Sequence, residues 1–369
     1  MISYIIWNGS PEIFSIGVFS LRYYGLLFAL GFLLSQQILY YIYKQEGKPE
    51  RDVDTLTIYM IVATILGARL GHIIFYEPSM LWTDPLGVLL PFQIWPFKLT
   101  GFTGLASHGG AIGILFALWL YSRKKKPGQN YLQILDRIVI LVCLTGGLIR
   151  MGNYFNSEII GKPTDSSLGV VFINPVTERI LYNEDGTNPI SSIEFKKDEE
   201  KTVNENGRVP LAIYLFFKPG TTENQINEFV DWRVRNILAS QNEFVDISNG
   251  QMSSIITMEA SGTYAAKVNI MAISRHPAQL YESISCFILF ALLLWYWSKK
   301  KLNLPEGRIF GIFMILLWSL RFAYEFLKEN QEAFEDNLTL NMGQILSIPL
   351  VLVGVYILIR SFKQKEVNS

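Results

Sequence analysis

The chain has 369 residues, of which 50% are hydrophobic and 17% charged, with a formal net charge of zero. A mean hydropathy of +0.25 sets it apart from a soluble globular mix, and the balanced charge leaves no electrostatic footprint for nucleic acid. The two cysteines, Cys143 and Cys286, both lie in apolar runs, which argues against a structural disulfide framework.

The N-terminus has no basic segment and no small-residue cleavage site, so no cleavable signal peptide is expected. Seven apolar stretches approach the ~20 residues needed to cross ~30 Å of hydrocarbon. They cover residues 16–43, 56–76, 105–121, 132–151, 280–297, 309–327 and 345–360. Basic residues follow every second one: Lys44, Lys48 and Arg51, then Arg123-Lys-Lys-Lys126, then Lys299-Lys-Lys301 with Arg308, then Arg360, Lys363 and Lys365. The alternate short loops are poor in Lys and Arg, with Lys98 in one and Lys328 in the other. The positive-inside rule therefore expects the N-terminus outside and the C-terminus in the cytoplasm. Tyr40, Tyr41, Tyr43, Trp295 and Trp297 would mark the inner interface.

Between the fourth and fifth stretches, residues 162–273 are polar and charged, with turn signals at Asn183-Glu-Asp-Gly186 and Asn249-Gly250. Runs of strand length occur at 209–217 and 253–258. Thr222 and Gln225 read as a capping box, followed at helical spacing by Ile226, Phe229, Val230, Val234 and Ile237. The expected fold is an all-α polytopic membrane protein of seven transmembrane helices. Residues 1–161 carry the first four and 274–369 the last three, with an α+β extracytoplasmic insertion at 162–273.

Polar residues cluster at the ends of these stretches. Tyr24, in Tyr23-Tyr-Gly25, is an aromatic-belt residue or part of a site. Arg69, in Gly67-Ala-Arg-Leu-Gly71, is a snorkelling interfacial arginine or a headgroup ligand that the glycines let approach. His108, before Gly109-Gly110, is an interhelical hydrogen-bonder or a proton acceptor. Arg150, Asn153, Asn156 and Glu158 fall within nine residues, offering the donors that phosphate oxygens need. Arg275-His-Pro-Ala-Gln-Leu-Tyr-Glu282 re-enters the membrane, with Gln279 and Glu282 placed to face the same way as His276. Arg321 has Glu325 one turn later. A guanidinium at a helix centre costs about 2.5–3.5 kcal/mol on insertion scales. Two of them near carboxylates suggest a site for an anion at membrane depth, and a phospholipid headgroup is the abundant anion there.

These stretches, together with Gly161 and Met342-Gly-Gln-Ile-Leu-Ser-Ile-Pro349, resemble in kind and order the bacterial prolipoprotein diacylglyceryl transferases. The resemblance occupies all seven apolar stretches; the insertion lies beyond it. It differs where Ile149 precedes Arg150, where Ser107 precedes His108, and where Lys328-Glu329 follows Glu325. The resemblance implies a multi-pass enzyme of the bacterial inner membrane acting in lipoprotein biosynthesis. It would transfer the diacylglyceryl group of phosphatidylglycerol to the lipobox cysteine thiol of a prolipoprotein signal peptide. A thioether forms, glycerol 1-phosphate leaves, and no metal or organic cofactor is implied.

On that footing Arg150 and Arg321 are expected to hold the phosphate, with Asn153 as a further donor and Glu158 and Glu325 orienting the arginines. His108 is expected to take the thiol proton. Tyr24, Arg69, Asn156, Gly161, Arg275, His276, Gln279 and Glu282 complete the expected substrate site. An anionic phospholipid transporter is the alternative reading, although no internal repeat of the kind transporters carry is visible. A membrane protease would need a Gly-x-Ser-x-Gly or His-Glu-x-x-His motif, and the sequence has neither.

Overall fold

In hydrocarbon no water pairs with exposed amides, so long apolar runs satisfy their own backbone as helices. The computed structural model describes residues 4–16, 19–89, 92–93, 98–99, 104, 106–182, 188–198, 206–247, 252–260, 262–329, 335 and 338–363. The chain opens with strands β1 (Ile5–Trp7), β2 (Glu12–Ile16) and β3 (Phe19–Arg22), then helices α1 (Tyr23–Gln45), α2 (Arg51–Tyr76), α3 (Met80–Thr83) and α4 (Pro85–Leu89). Next come β4 (Phe92–Gln93), β5 (Lys98–Leu99), α5 (Ser107–Ser122) and α6 (Tyr131–Phe155). A mixed segment follows: β6 (Val170–Phe172), α7 (Asn174–Leu181), β7 (Ile190–Lys197), β8 (Arg208–Phe217), α8 (Glu223–Glu228), α9 (Arg235–Ser240), β9 (Val245–Asp246), β10 (Ser253–Met258) and β11 (Tyr264–Arg275). Helices α10 (Ala278–Lys300), α11 (Arg308–Tyr324) and α12 (Met342–Phe362) close it.

Among the described residues six helices, α1, α2, α6, α10, α11 and α12, are long and apolar enough to cross a membrane. The chain is a polytopic membrane protein. Helix α5 matches the third expected span but has 16 residues, about 24 Å at ~1.5 Å per residue, short of ~30 Å of hydrocarbon.

The all-α expectation is corrected at the N-terminus. The first span was expected from residue 16, yet α1 starts at Tyr23, because β2 and β3 form an antiparallel hairpin. The alternating apolar and polar residues there suit a strand, and Tyr23 N closes the hairpin on Pro11 O at 3.0 Å. The turns expected at 183–186 and 249–250, residue 105 of the third span and Lys365 lie outside the described residues.

Contacts group the chain into two units. The first comprises Met1–Ala29, Gly147–Ser285 and Leu320–Leu346; the second comprises Leu30–Gly146, Cys286–Ser319 and Ser347–Ser369.

The first unit is built on a seven-stranded sheet in the order β1-β6-β11-β8-β7, with β9 and β10 also pairing β11. Its longest strand is β11, antiparallel to β8 from Ala265↔Phe216 to Ile273↔Arg208. Strand β1 joins the sheet parallel to β6, so the N-terminus belongs to the same sheet as the segment expected to be an insertion. The core contains Val171, Phe172, Val209, Leu211, Ile213, Leu215, Val268 and Ile270. The expected capping box forms, Thr222 N donating to Gln225 Oε1 at 2.9 Å. Beyond it Ile226, Val230, Val234 and Leu238 are buried at spacings of four, through a π-helical turn at Phe229–Val234.

In the second unit α2 packs on α5 through glycines four apart on each helix. A Cβ at Gly67 would lie 2.5 Å from Gly109 O, and one at Gly113 3.1 Å from Gly67 Cα, so the backbones touch as small-xxx-small pairs allow. A buried ion cluster ties the ends of α1, α6 and α10. Arg137 donates to Glu46 from Nη2 at 2.8 Å and from Nε at 3.0 Å, Lys48 pairs with Glu46 at 2.6 Å, and Trp297 Nε1 donates to Glu46 Oε1 at 2.7 Å.

Burial acts to raise the Glu46 pKa, but Arg137 and then Lys48 outweigh it and hold the carboxyl below its ordinary value. Stability from Glu46 is therefore present above the unfolded-state pKa near 4.5 and is lost as pH falls through the lower folded value. Replacing Glu46 with Ala should destabilise by about 3–5 kcal/mol, because buried Arg137 and Lys48 both lose the carboxylate they share. Thermal unfolding in detergent at neutral pH checks this; an unchanged melting temperature contradicts it.

Candidate functional site

The first unit brings most of the expected site residues together. Helix α6 ends at Phe155, and its last turns present Arg150 and Asn153, with Arg150 Nη1 donating to Asn153 Oδ1 at 3.5 Å. The chain then turns through Ser157 (φ 53°) and Ile159 (φ 56°), both left-handed. For a β-branched residue that is an outlier, costing of order 1–3 kcal/mol, of the kind that concentrates at functional sites. The turn brings Glu158 back: Asn153 and Asn156 each donate to its carboxylate at 3.2 Å. Glu158 thus reaches Arg150 through Asn153.

The carboxylate directly on Arg150 is Glu282, with Nε to Oε2 at 2.5 Å. One turn earlier on α10, Gln279 Nε2 donates to Glu158 O at 2.5 Å. His276 departs from the expected common face. Helix α10 begins only at Ala278, so a spacing of three carries no face at residue 276; its Nδ1 lies 3.4 Å from Tyr281 Oη. Burial lowers the His276 pKa, which leaves the ring neutral at neutral pH.

Helix α11 stops at Tyr324 and tightens into a 3₁₀ turn, Glu325–Leu327, followed by extended Lys328 (φ −98°, ψ 151°). Arg321 pairs with Glu325 at 3.7 Å, as the i,i+4 spacing anticipates, and Asn341 Nδ2 donates to Glu325 at 3.2 Å. Lys328 pairs with Glu325 at 3.4 Å and also with Glu282. The result is one alternating row, Arg150–Glu282–Lys328–Glu325–Arg321. The expected set lacked Lys328, although Arg321, Glu325 and Lys328 are spaced four and three apart, which was the available signal.

Gly161 and Arg275 frame this row. Gly161 N donates to His276 O at 2.9 Å, Lys162 N donates to Leu327 O at 2.7 Å, and Gly161 bridges antiparallel to Lys328. Arg275 is buried, donating to Gly161 O at 3.1 Å, Glu243 O at 2.8 Å and Glu329 at 2.7 Å. Tyr24 packs on Gly152, where a Cβ would lie 2.9 Å from the ring.

Arg69 and His108 belong to the second unit. Arg69 is buried and donates to Gly87 O at 2.9 Å, Val88 O at 3.3 Å and Gly104 O at 3.5 Å. These contacts tie the segment after α2 to its guanidinium. His108 is exposed at the start of α5, its ring edge-on to Phe75 at 5.0 Å between centroids and 6.1 Å from Tyr76. Among the described residues, no group of three or more His, Cys, Asp or Glu could hold a metal ion.

The family model described as "Prolipoprotein diacylglyceryl transferase" matches residues 11–360. A protein of Bacteroides fragilis named "Phosphatidylglycerol--prolipoprotein diacylglyceryl transferase" is 32% identical over 367 residues, covering 99% of this chain and 98% of its own. Proteins of the same name from Tolumonas auensis and Chloroherpeton thalassium are also 32% identical, over 98% and 100% of this chain and 99% and 98% of theirs.

Proposed function

The chain belongs to the prolipoprotein diacylglyceryl transferase family, and from that premise we propose that it transfers diacylglyceryl from phosphatidylglycerol to a prolipoprotein cysteine. The observation carrying the proposal is the row of alternating charge with an arginine at either end, in a polytopic membrane protein. Such a row at membrane depth is costly, and it suits an anionic phosphodiester.

In the proposed reaction the cysteine sulfur attacks the glycerol carbon that bears the phosphate ester. The carbon–sulfur bond forms, the carbon–oxygen bond breaks, and glycerol 1-phosphate carries off the electron pair. A thiol with a reference pKa near 8.5 reacts as thiolate, so its proton must be taken. The exposed imidazole of His108 is the proposed acceptor. Arg150 and Arg321 neutralise the departing phosphate, which is where donors lower the barrier. Asn153 adds a donor, while Glu158, Asn156, Gln279, Glu282 and Glu325 orient the set. Arg275, whose donors engage two backbone carbonyls and Glu329, holds loops about the site, and Arg69 holds the segment after α2 within the second unit. Tyr24 and His276 are assigned to substrate binding.

The proposed topology counts α5 as a seventh crossing of the bacterial inner membrane, with the N-terminus outside and the C-terminus in the cytoplasm. The basic residues after α1, α5, α10 and α12 support that orientation. Residues 162–273 then lie on the outer face.

The test uses purified protein in detergent with phosphatidylglycerol and a lipobox peptide. Release of glycerol phosphate with a diacylglyceryl mass gain on the peptide cysteine is the expected result. Lipid binding without any adduct would sink the proposal and turn attention to lipid movement across vesicles.

A further inference from the structure

Lys328 stands at the centre of the charged row, and its side chain is only 3% exposed. An ammonium is strongly hydrated, and burying it is tolerated only against compensating charge. Here two carboxylates supply it: Glu282 and Glu325, whose side chains are 12% and 10% exposed. Each of those carboxylates also holds one arginine. The backbone fixes the lysine independently of its charge, through the extended residue after the 3₁₀ turn and the bridge to Gly161.

We propose that Lys328 is a positioning residue: by sharing Glu282 and Glu325 with Arg150 and Arg321 it sets the spacing of the arginines and keeps them electropositive toward phosphate. The inference rests on the transferase reading above and deepens it. Without Lys328 the row is two arginine–carboxylate pairs with no net charge. With it, a third cation shares the same two carboxylates, so neither carboxylate is committed to its arginine alone. Two amides also engage the row: Asn341 donates to Glu325, and Asn153 accepts from Arg150 and connects to exposed Glu158. The neighbouring Arg275–Glu329 pair balances itself.

The experiment compares wild type, K328M and K328R in detergent, measuring kcat and KM for phosphatidylglycerol by peptide adduct formation, alongside the melting temperature. K328M should lose about 100-fold in kcat at saturating lipid, the scale of a small misplacement of catalytic groups. K328R, which keeps the charge, should restore most of it. Wild-type turnover by folded K328M, or an inactive but folded K328R, overturns the proposal. Should K328M fail to fold, K328Q takes its place; if both fail to fold while K328R is stable, the lysine is structural alone and the proposal falls. A wild-type protein that makes no adduct would instead sink the transferase reading itself.

Discussion

Replacing Arg150 with Ala is expected to abolish adduct formation, by roughly 10²–10³-fold or more, the loss that follows removal of one donor from a developing oxyanion. The side chain is half of the Arg150–Glu282 contact and also reaches Asn153. Its loss removes a cation from the site and leaves Glu282 to Lys328 alone. Arg150→Lys should recover little, because an ammonium cannot reproduce the planar fork that spans a carboxylate and a phosphate at once. The arginine lies at the end of α6 and its side chain is 21% exposed, so the fold should survive. Melting temperature and membrane insertion of the variant are expected to stay near wild type while the peptide adduct disappears. An Arg150→Ala protein with normal turnover would remove the phosphate-clamp assignment.

Gly161→Ala is expected to cost nearly as much through a different route. A Cβ there would lie 2.6 Å from His276 O and 2.7 Å from Leu327 O. Both are backbone atoms, held by the Gly161 N–His276 O and Lys162 N–Leu327 O hydrogen bonds at 2.9 and 2.7 Å. Neither can yield cheaply, so the bridge between Gly161 and Lys328 must open. Overpacking of this kind typically costs about 1–3 kcal/mol. Because the bridge sets Lys328 and the acceptor for Arg275, the loss of turnover should exceed the loss of stability. Kinetics and melting on the same preparation separate the two. A variant whose kcat is intact while its melting temperature drops would make Gly161 a folding glycine only.

The parts of the site carried by local spacing were legible in the sequence. Arg321 and Glu325 sit one turn apart and pair; Arg150 and Asn153 sit three apart and touch. Thr222 and Gln225 cap a helix as their spacing implied. The contacts that join segments were not legible. Nothing in the spacing of 150–158 says that Glu282, far along the chain, takes the Arg150 guanidinium in place of Glu158. Strand β11 is not legible in the sequence either, because its alanines mimic a helix former while its burial reflects strands on both sides.

By itself the sequence determined the apolar lengths, the loop charges and the motif order, and with them the polytopic class and the family. These are one-dimensional quantities: hydrocarbon thickness sets a length, and a helix sets a face. Only the tertiary structure decided that Glu282 takes both Arg150 and Lys328 from distant segments. It also decided that the first strand joins the central sheet and that Lys328 links both arginine–glutamate pairs. Pairing across the chain depends on where backbone turns and strand registers deliver each side chain, and residue spacing does not encode that.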